Sequence, residues 1–361
     1  MIKKCIILFI NTILVFLSIC ACNKEAEDDT IPKIVKNIDK ELPLVDYIDE
    51  QLLDKSLWEN ISQLCINEKY ESKREVIVAL IDVGISEYYS NSTYLYTNNN
   101  EIEANNIDDD GNGYVDDING WNIIDNNGNV INYNDSSIHA SAILGMLIGE
   151  NEYYSYYGML TGSNVKIVPI KALDDNNISG SVENIIEAIK YAETINADIV
   201  AMSFSTYVSS KELEDIINRS NMLFVVAAGN EGKELCEKYE VYPACYDSSN
   251  IITVAAASNN GEIDYSSNYG KQYVDIAVSG ENIVCYLGNS NFVYEGGTSF
   301  AVPFVVAEAA IILSLSECEL SSIELKNIIL DNVSYNELLK EKVSSEGTVS
   351  IDKLLCYLEK R

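Results

Sequence analysis

The stretch EVIVALIDVGI, residues 75–85, contains a nearly uninterrupted apolar run that ends at Asp82. A run this uniformly apolar is typical of a strand buried on both faces of a parallel sheet, because a half-exposed strand alternates apolar with polar residues. A carboxylate directly after such a strand lies at the carboxyl end of the sheet, where α/β proteins place their reactive groups. The structural alternative is that Asp82 only caps the end of the strand.

Apolar runs of the same kind recur along the chain. Four more of them follow, at residues 164–173, 196–205, 221–230 and 250–258. Between them lie segments whose apolar residues recur at helical spacing, at residues 181–196 and 210–220. This alternation predicts an α/β fold, with three αβα layers and a mostly parallel central sheet.

The first 22 residues are typical of a bacterial lipoprotein signal peptide. Lys3 and Lys4 precede a mostly apolar stretch, residues 5–19, which is too short to span a bilayer comfortably. The stretch ends in Ile19-Cys20-Ala21-Cys22, which matches a lipobox and predicts that Cys22 carries the lipid. We therefore expect a chain anchored by its N-terminal lipid outside the cytoplasmic membrane. An uncleaved signal anchor is the alternative.

The rest of the chain divides into a tether and one large domain. Residues 23–42 are polar and low in aromatic residues, which predicts a flexible acidic tether. Residues 43–361 contain no internal linker rich in Pro, Gly or Ser, so we expect a single domain there.

Export from the cytoplasm permits disulfides, and Cys236 and Cys245 are close enough in sequence to form one. Other cysteine pairings cannot be deduced from sequence.

The charge of the chain restricts its partners. Its 56 acidic and 24 basic residues give a formal net charge of −32, and the acidic residues are spread along the chain. Nucleic acid and anionic lipid headgroups are therefore not expected as partners, whereas a neutral or basic peptide is easier to accommodate.

His139 is the only histidine of the 361 residues, and it lies at the start of an apolar helical run. The unperturbed pKa of histidine is the nearest to neutrality among side chains. A single histidine is therefore either an accident of composition or the proton carrier of a reaction. Only its partners elsewhere in the chain can distinguish these two interpretations.

Two more polar residues lie where the predicted fold places chemistry. Ser299 lies between a pair of glycines and a long apolar segment, with Pro303 in the expected first turn of a helix. The N-terminal N–H groups of such a helix favour oxyanion chemistry. Asn230 follows an apolar run directly after a glycine. The structural alternatives are a helix cap for Ser299 and a turn former for Asn230.

Four motifs follow one another along the chain: VALIDVGI around Asp82, the segment around His139, VVAAGNEG around Asn230 and GGTSFAVP around Ser299. In this order they resemble the subtilisin-like serine peptidases, whose catalytic residues also follow the order aspartate, histidine, serine. The resemblance covers about residues 43–361. It implies the subtilisin-like fold and a serine endopeptidase that acts on peptide or protein substrates and needs no cofactor for its chemistry.

The resemblance also implies a role for each of these residues. Ser299 is the expected nucleophile, His139 the general base, and Asp82 the residue that orients the imidazole. Asn230 is the expected donor to the oxyanion, together with the backbone N–H of Ser299. The usual histidine motif is altered here, since residues 136–142 read SSIHASA and keep only the histidine. A catalytically weak or inactive relative that binds peptides is therefore the alternative.

By resemblance, the expected substrate-binding residues are Ser203, Phe204, Ser205, Glu231 and Val241. The first three would pair with a bound peptide through their backbone. Val241 favours an apolar residue before the cut, whereas Glu231 and the overall charge favour a basic one, and both alternatives stay open.

About 50 residues separate Cys22 from the first catalytic strand. This is too short for the folded prodomain of many secreted members, so we expect folding without one.

The stretch NIDDDGNGYVDDINGWN, residues 106–122, predicts a structural calcium site. Oxygen ligands recur at the odd positions of an EF-hand-like loop, at Asp108, Asp110, Asn112, Tyr114 through its carbonyl, and Asp116. Asn119 stands where an EF-hand has a bidentate glutamate. A solvated acidic turn is the alternative.

Overall fold

All five apolar runs form strands in the computed structural model, which describes residue 61, residues 71–133 and residues 138–358. In chain order the strands are β1 Val76–Asp82, β2 Trp121–Asn122, β3 Glu150–Asn151, β4 Tyr156–Tyr157, β5 Val165–Lys171, β6 Ile199–Met202, β7 Leu223–Ala227, β8 Ile251–Ala257, β9 Ile276–Ser279, β10 Ile283–Gly288, β11 Asn291–Glu295, β12 Ser334–Tyr335 and β13 Gly347–Thr348. The helices are α1 His139–Ile148, α2 Val182–Thr194, α3 Lys211–Arg219, α4 Thr298–Leu315, α5 Ser322–Asp331 and α6 Ile351–Leu358, with 3₁₀ turns at Glu87–Asn91 and Glu337–Leu339.

Seven strands form the central sheet, in the order β2-β5-β1-β6-β7-β8-β9. Every neighbouring pair in this sheet is parallel. All residues of β7 and β8 are buried, as expected for strands covered on both faces. The predicted α/β fold with a mostly parallel sheet is confirmed. Short antiparallel pairs, β3 with β4, β10 with β11 and β12 with β13, lie outside it.

The helices form two groups around the sheet. α2 and α3 pack on each other, whereas α1, α5 and α6 pack on α4. Serine side chains cap α2 and α3, since Ser181 accepts the N–H of Asn184 and Ser210 that of Leu213. Among the described residues, α4 is the helix long and apolar enough to cross a bilayer, but 94% of it is buried inside the fold. Its apolar sequence therefore reflects its place in the core.

The position of Pro303 differs from the expected one. α4 begins at Thr298, so the proline lies in the second turn instead of the first. Proline has no N–H to donate to the carbonyl four residues earlier, which here belongs to Ser299. The hydroxyl of Ser203, directly after β6, donates to this carbonyl at 3.1 Å. The proline therefore leaves room for a hydrogen bond between the end of β6 and the start of α4.

Several sequence predictions are not tested by the described residues. The chain divides into two units, Met1–Ile31 and Pro32–Arg361, and all described residues belong to the second. The signal peptide with Cys22 and the tether 23–42 lie outside the described residues, so the domain boundaries stay a prediction.

The expected disulfide between Cys236 and Cys245 is not formed. Both residues are free cysteines in the structure.

A carboxyl group lies in the apolar core, on the third turn of α4. Glu308 is 1% exposed, and its Oε2 atom has no hydrogen-bond partner in the described part of the chain. Burial raises the pKa of Glu308 from 4.5 to about 8, and a hydrogen bond from the backbone of Ser350 opposes part of this rise. Ser350 directly precedes α6. The carboxyl group therefore connects the core helix to the last described helix.

We expect Glu308→Gln to remove a pH dependence of stability. The folded protein keeps this carboxyl protonated up to about pH 8, whereas the unfolded chain loses the proton near 4.5. The unfolded state binds fewer protons in this window, so the free energy of unfolding falls as the pH rises through it. One pKa unit corresponds to about 1.4 kcal/mol, so the full effect is about 5 kcal/mol.

Urea unfolding at several pH values between about 5 and 8 measures this effect. The stability of Glu308→Gln relative to the parent should increase with pH across the window. The exposed Glu317, shortly after the end of α4, provides the matched control Glu317→Gln. A difference between parent and Glu308→Gln that does not change with pH would contradict the expectation.

Candidate active site

Asp82 and His139 form a buried pair at the carboxyl end of the sheet. Asp82 is the last residue of β1, and His139 is the first residue of α1. Nδ1 of His139 lies 2.9 Å from each carboxylate oxygen of Asp82. Asp82 is 0% and His139 7% exposed. The carboxylate can therefore hold the imidazole with its Nδ1 proton toward Asp82, which makes Nε2 the proton acceptor.

Packing fixes both members of this pair. The backbone N–H of Val83 donates to Oδ1 of Asp82 at 2.8 Å. All residues of α1 are buried, and a β-carbon at Gly145 would lie 1.9 Å from the carbonyl oxygen of Tyr286, so α1 packs closely against β10. The ring of Phe300 packs edge-on against the imidazole, with centroids 5.6 Å apart. The imidazole is therefore held between β1 and the start of α4.

Ser299 is the second residue of α4, and its side chain is hydrogen-bonded to the end of β6. Its Oγ donates to the carbonyl of Ser203 at 2.8 Å, while the Ser203 hydroxyl donates to the carbonyl of Ser299 at 3.1 Å. Phe300 follows Ser299 directly, so its contact with the imidazole brings this helix start beside His139. The arrangement places a hydroxyl, an imidazole and a buried carboxylate at one edge of the sheet.

Asn230 lies at the same helix start. Its Oδ1 accepts the N–H of Thr298 at 2.8 Å and the Oγ1 hydroxyl of Thr298 at 3.0 Å. Gly297 has φ 100°, and a β-carbon there would lie 2.9 Å from this Oδ1. Glycine therefore allows the amide to approach the helix. The two hydrogen bonds from Thr298 to Oδ1 orient the amide of Asn230, and an amide Nδ2 is a donor of the kind that stabilises a developing anion. Sequence reasoning missed the role of Thr298.

The expected substrate-binding residues differ in exposure: the buried ones are Ser203, Phe204 and Val241, and the half-buried ones are Ser205 and Glu231. The structure brings the half-buried pair together at Gly229. A β-carbon on Gly229 would lie 3.4 Å from Oγ of Ser205 and 2.8 Å from Oε2 of Glu231. The backbones of Thr206 and Tyr242 hydrogen-bond to each other, so Val241 directly precedes a residue that pairs with the segment after β6.

The structure separates Asp110 from the other expected calcium ligands, since the side chains of Asp108, Asn112 and Asp116 bind backbone N–H groups of the loop. The carboxylate of Asp108 accepts the backbone N–H groups of Asn112 and Gly113. The carboxylate of Asp116 accepts those of Asn105 and Asn106, and Oδ1 of Asn112 accepts the N–H of Tyr114. These oxygens therefore hold the loop in its conformation.

Asp110 lies instead beside two carboxylates that the sequence analysis did not select. One oxygen each of Glu101, Asp110 and Asp117 lies within 4.8 Å of the others. Glu101 and Asp117 are buried. Burial and the neighbouring Asp110 raise the pKa of Asp117, while hydrogen bonds from Asn98 and Asn112 oppose the rise. Glu101 precedes the quoted motif, so the spacing within the motif could not indicate it.

Comparisons with known proteins agree with this geometry. Residues 73–348 match the model of the subtilase family, Peptidase_S8. The chain is 30% identical over 218 residues to a thermophilic serine proteinase of Bacillus sp. (strain AK1), covering 59% of this chain and 49% of that protein. It is 32% identical over 188 residues to the major intracellular serine protease of Bacillus subtilis (strain 168), covering 51% and 57%.

Subtilisin E of Bacillus subtilis (strain 168) is 29% identical over 183 residues, which cover 50% of this chain and 46% of that protein. The chain therefore spans about half the length of these curated relatives.

Proposed function

This chain belongs to the subtilase family of serine peptidases, and from this premise we propose that it is an endopeptidase that hydrolyses peptide bonds through an acyl-enzyme. The observation that carries the proposal is the contact of His139 Nδ1 with Asp82 at 2.9 Å, beside the helix start that presents Ser299. The proposed substrates are peptides or proteins.

In the proposed reaction, Oγ of Ser299 attacks the carbonyl carbon of the substrate while Nε2 of His139 takes the hydroxyl proton. Asp82 stabilises the imidazolium that forms. The imidazolium then gives this proton to the leaving amine, the C–N bond breaks, and the acyl group stays on Ser299. A water molecule, deprotonated by the same imidazole, hydrolyses the ester and restores the serine.

The negative charge that develops on the substrate oxygen would be stabilised at the start of α4. The proposed donors are Nδ2 of Asn230 and the backbone N–H of Ser299 in the first turn of the helix. Thr298 supports this arrangement, because its two hydrogen bonds orient the amide of Asn230. The donors would be in place before the substrate binds, so little reorganisation is needed during the reaction.

We expect Ser299→Ala to abolish labelling by a fluorophosphonate and to lower kcat/KM for peptide hydrolysis by about a thousandfold or more, because the nucleophile is lost. His139→Ala should abolish labelling as well, since the chain has no second histidine to act as base. Gel fluorescence and peptide hydrolysis measure the two effects. Ser90→Ala, a serine outside the candidate site, is the matched control and should be labelled like the parent.

Two outcomes would count against the proposal. Labelling of Ser299→Ala would show that another residue is the nucleophile. A parent protein that is folded and binds peptides but is neither labelled nor active would favour the non-catalytic alternative.

We also propose that Glu101, Asp110 and Asp117 hold a structural calcium ion. Their oxygens come from carboxylates, which calcium prefers, and they already lie within reach of one centre. Two of the three carboxylates are buried, so water screens their mutual repulsion poorly. A divalent cation would offset this repulsion. The ion would stabilise the loop that packs Tyr114 against Trp121 and Tyr191.

Calcium should raise the melting temperature of the parent protein, because it binds only the folded loop. The double variant Asp110→Asn and Asp117→Asn should lose this increase. Glu103→Gln, an exposed acidic residue of the same loop, should keep it. Differential scanning fluorimetry in calcium and in chelator makes the measurement, and identical melting curves for the parent would contradict the site.

The N-terminal sequence supports a proposal about location. We propose that Cys22 is lipidated and anchors the chain outside the cytoplasmic membrane, as its lipobox suggests. Cys22→Ser should release the protein from the membrane fraction, whereas Cys20→Ser should not. Fractionation followed by immunoblotting measures the distribution. Membrane retention of Cys22→Ser would instead favour an uncleaved signal anchor.

A further inference from the structure

A cavity of about 270 Å³ lies at the surface where three chain segments meet. Its lining residues are Ser86, Glu87, Tyr88, Asn132, Tyr133 and Asn289. The first three belong to the start of the 3₁₀ turn after β1, and the last lies in the turn between β10 and β11. Among the residues that the structure describes, the lining includes none of the candidate catalytic or substrate-binding residues. The cavity is therefore a feature separate from the candidate active site.

The ring of Tyr88 forms one wall of the cavity and is held in place. It packs edge-on against Tyr89 and Tyr286, with centroids 5.1 Å and 5.5 Å apart. Its hydroxyl accepts a hydrogen bond from Tyr286 at 3.2 Å and donates to the carbonyl of Glu150 at 3.4 Å. A β-carbon at Gly288 would lie 2.1 Å from Cγ of Tyr88, so glycine lets the end of β10 approach the ring. The ring nevertheless keeps an exposed part for a ligand, since Tyr88 is 38% exposed.

The hydroxyl of Tyr286 also holds the turns beside the cavity. It accepts hydrogen bonds from Nδ2 of Asn151 and from the N–H of Ser290, each at 3.4 Å. The ring of Tyr286 packs against Phe292 with centroids 4.9 Å apart, so the hydroxyl itself has a fixed position. Asn289, which lines the cavity, directly precedes Ser290. A cavity ordered in this way needs little rearrangement to accept a ligand.

The lining combines aromatic rings with hydrogen-bonding groups. Tyr133 is 66% exposed, so the cavity has an accessible ring on a second segment besides Tyr88. Asn132 and Asn289 contribute amides, which both donate and accept hydrogen bonds, and Glu87 contributes a carboxylate acceptor. Aromatic faces stack on the C–H faces of a sugar ring, while amides and carboxylates hydrogen-bond to its hydroxyls. The lining therefore has both kinds of group that a carbohydrate needs.

We infer that this cavity binds one neutral sugar ring of a polysaccharide. Its volume is at the small end of ligand cavities, which suits a single ring. The net charge of −32 disfavours anionic ligands, and the carboxylate of Glu87 adds to this effect. A bilayer would cover the exposed tyrosines without filling a polar cavity. The inference goes beyond the proposed peptidase function and does not require it.

Isothermal titration calorimetry with cellotetraose and with chitotetraose tests the inference. The two tetrasaccharides share a neutral pyranose ring and differ in the acetamido group. The parent protein should bind at least one of them. Tyr133→Ala should weaken this binding by about tenfold or more, because a stacking ring is lost. Tyr133→Phe should keep most of the affinity, since it keeps the ring.

Asn289→Gly should weaken binding as well. Asn289 has φ 50°, a conformation that glycine adopts without strain, so the turn is kept while the amide is removed. The matched control is Tyr335→Ala, because Tyr335 is a 54% exposed tyrosine on β12, outside the cavity lining. It should bind the tetrasaccharide like the parent.

Three outcomes would overturn the inference. The folded parent could bind neither tetrasaccharide, which includes the case in which the tyrosines only attach it to phosphatidylcholine vesicles in cosedimentation. Tyr133→Ala and Asn289→Gly could bind like the parent, which would place the sugar elsewhere. Tyr133→Ala could also lose cleavage of a short peptide together with sugar binding, which would assign the cavity to the peptide site. Because calorimetry measures binding without a peptide, a failure of the proposed peptidase function would not change its result.

Discussion

Two reciprocal hydrogen bonds between Ser203 and Ser299 join the central sheet to the core helix. Pro303 cannot donate to the Ser299 carbonyl from within α4, and the Ser203 hydroxyl donates to it instead. α4 contacts five strands of the sheet along its length, and this junction joins its first turn to the end of β6. That turn in turn positions Asn230 through Thr298. One constraint on the backbone thus determines where several polar groups meet.

Two buried carboxylates show how the same core treats acidic groups differently. Asp82 receives the N–H of Val83 and faces the imidazole of His139, so its oxygens have polar partners at the edge of the sheet. Glu308 lies deeper on α4, with one oxygen lacking a partner among the described residues, and burial keeps it protonated up to about pH 8. Burial is tolerated in one case by hydrogen bonding and in the other by neutralisation. Only the first arrangement places a carboxyl group in hydrogen-bond contact with an imidazole.

The sequence predicted the sheet correctly, because buried strands and the polar residues that follow them show as local patterns. Strands buried on both faces show as apolar runs, and residues such as Asp82 and Asn230 lie where the runs end. Contacts between distant segments were missed. Glu101 lies outside the spacing of the acidic motif, and Tyr207 meets Tyr239 only because the fold brings their segments together. The position of Pro303 in the second turn of α4 was missed as well, because it depends on where the helix begins after β11.

The negative charge of the molecule is large overall, and one carboxylate is also held in a fixed position near Asn230. A net charge of −32 attracts any cationic peptide, but this attraction is screened over about 8 Å at physiological ionic strength and distinguishes no single residue. The carboxylate of Glu231 is different, because Asn268 holds it in one position beside Gly229. Long-range charge therefore governs how often basic peptides arrive. The position of Ser299 depends instead on the segments after β6 and β7, to which the start of α4 is hydrogen-bonded.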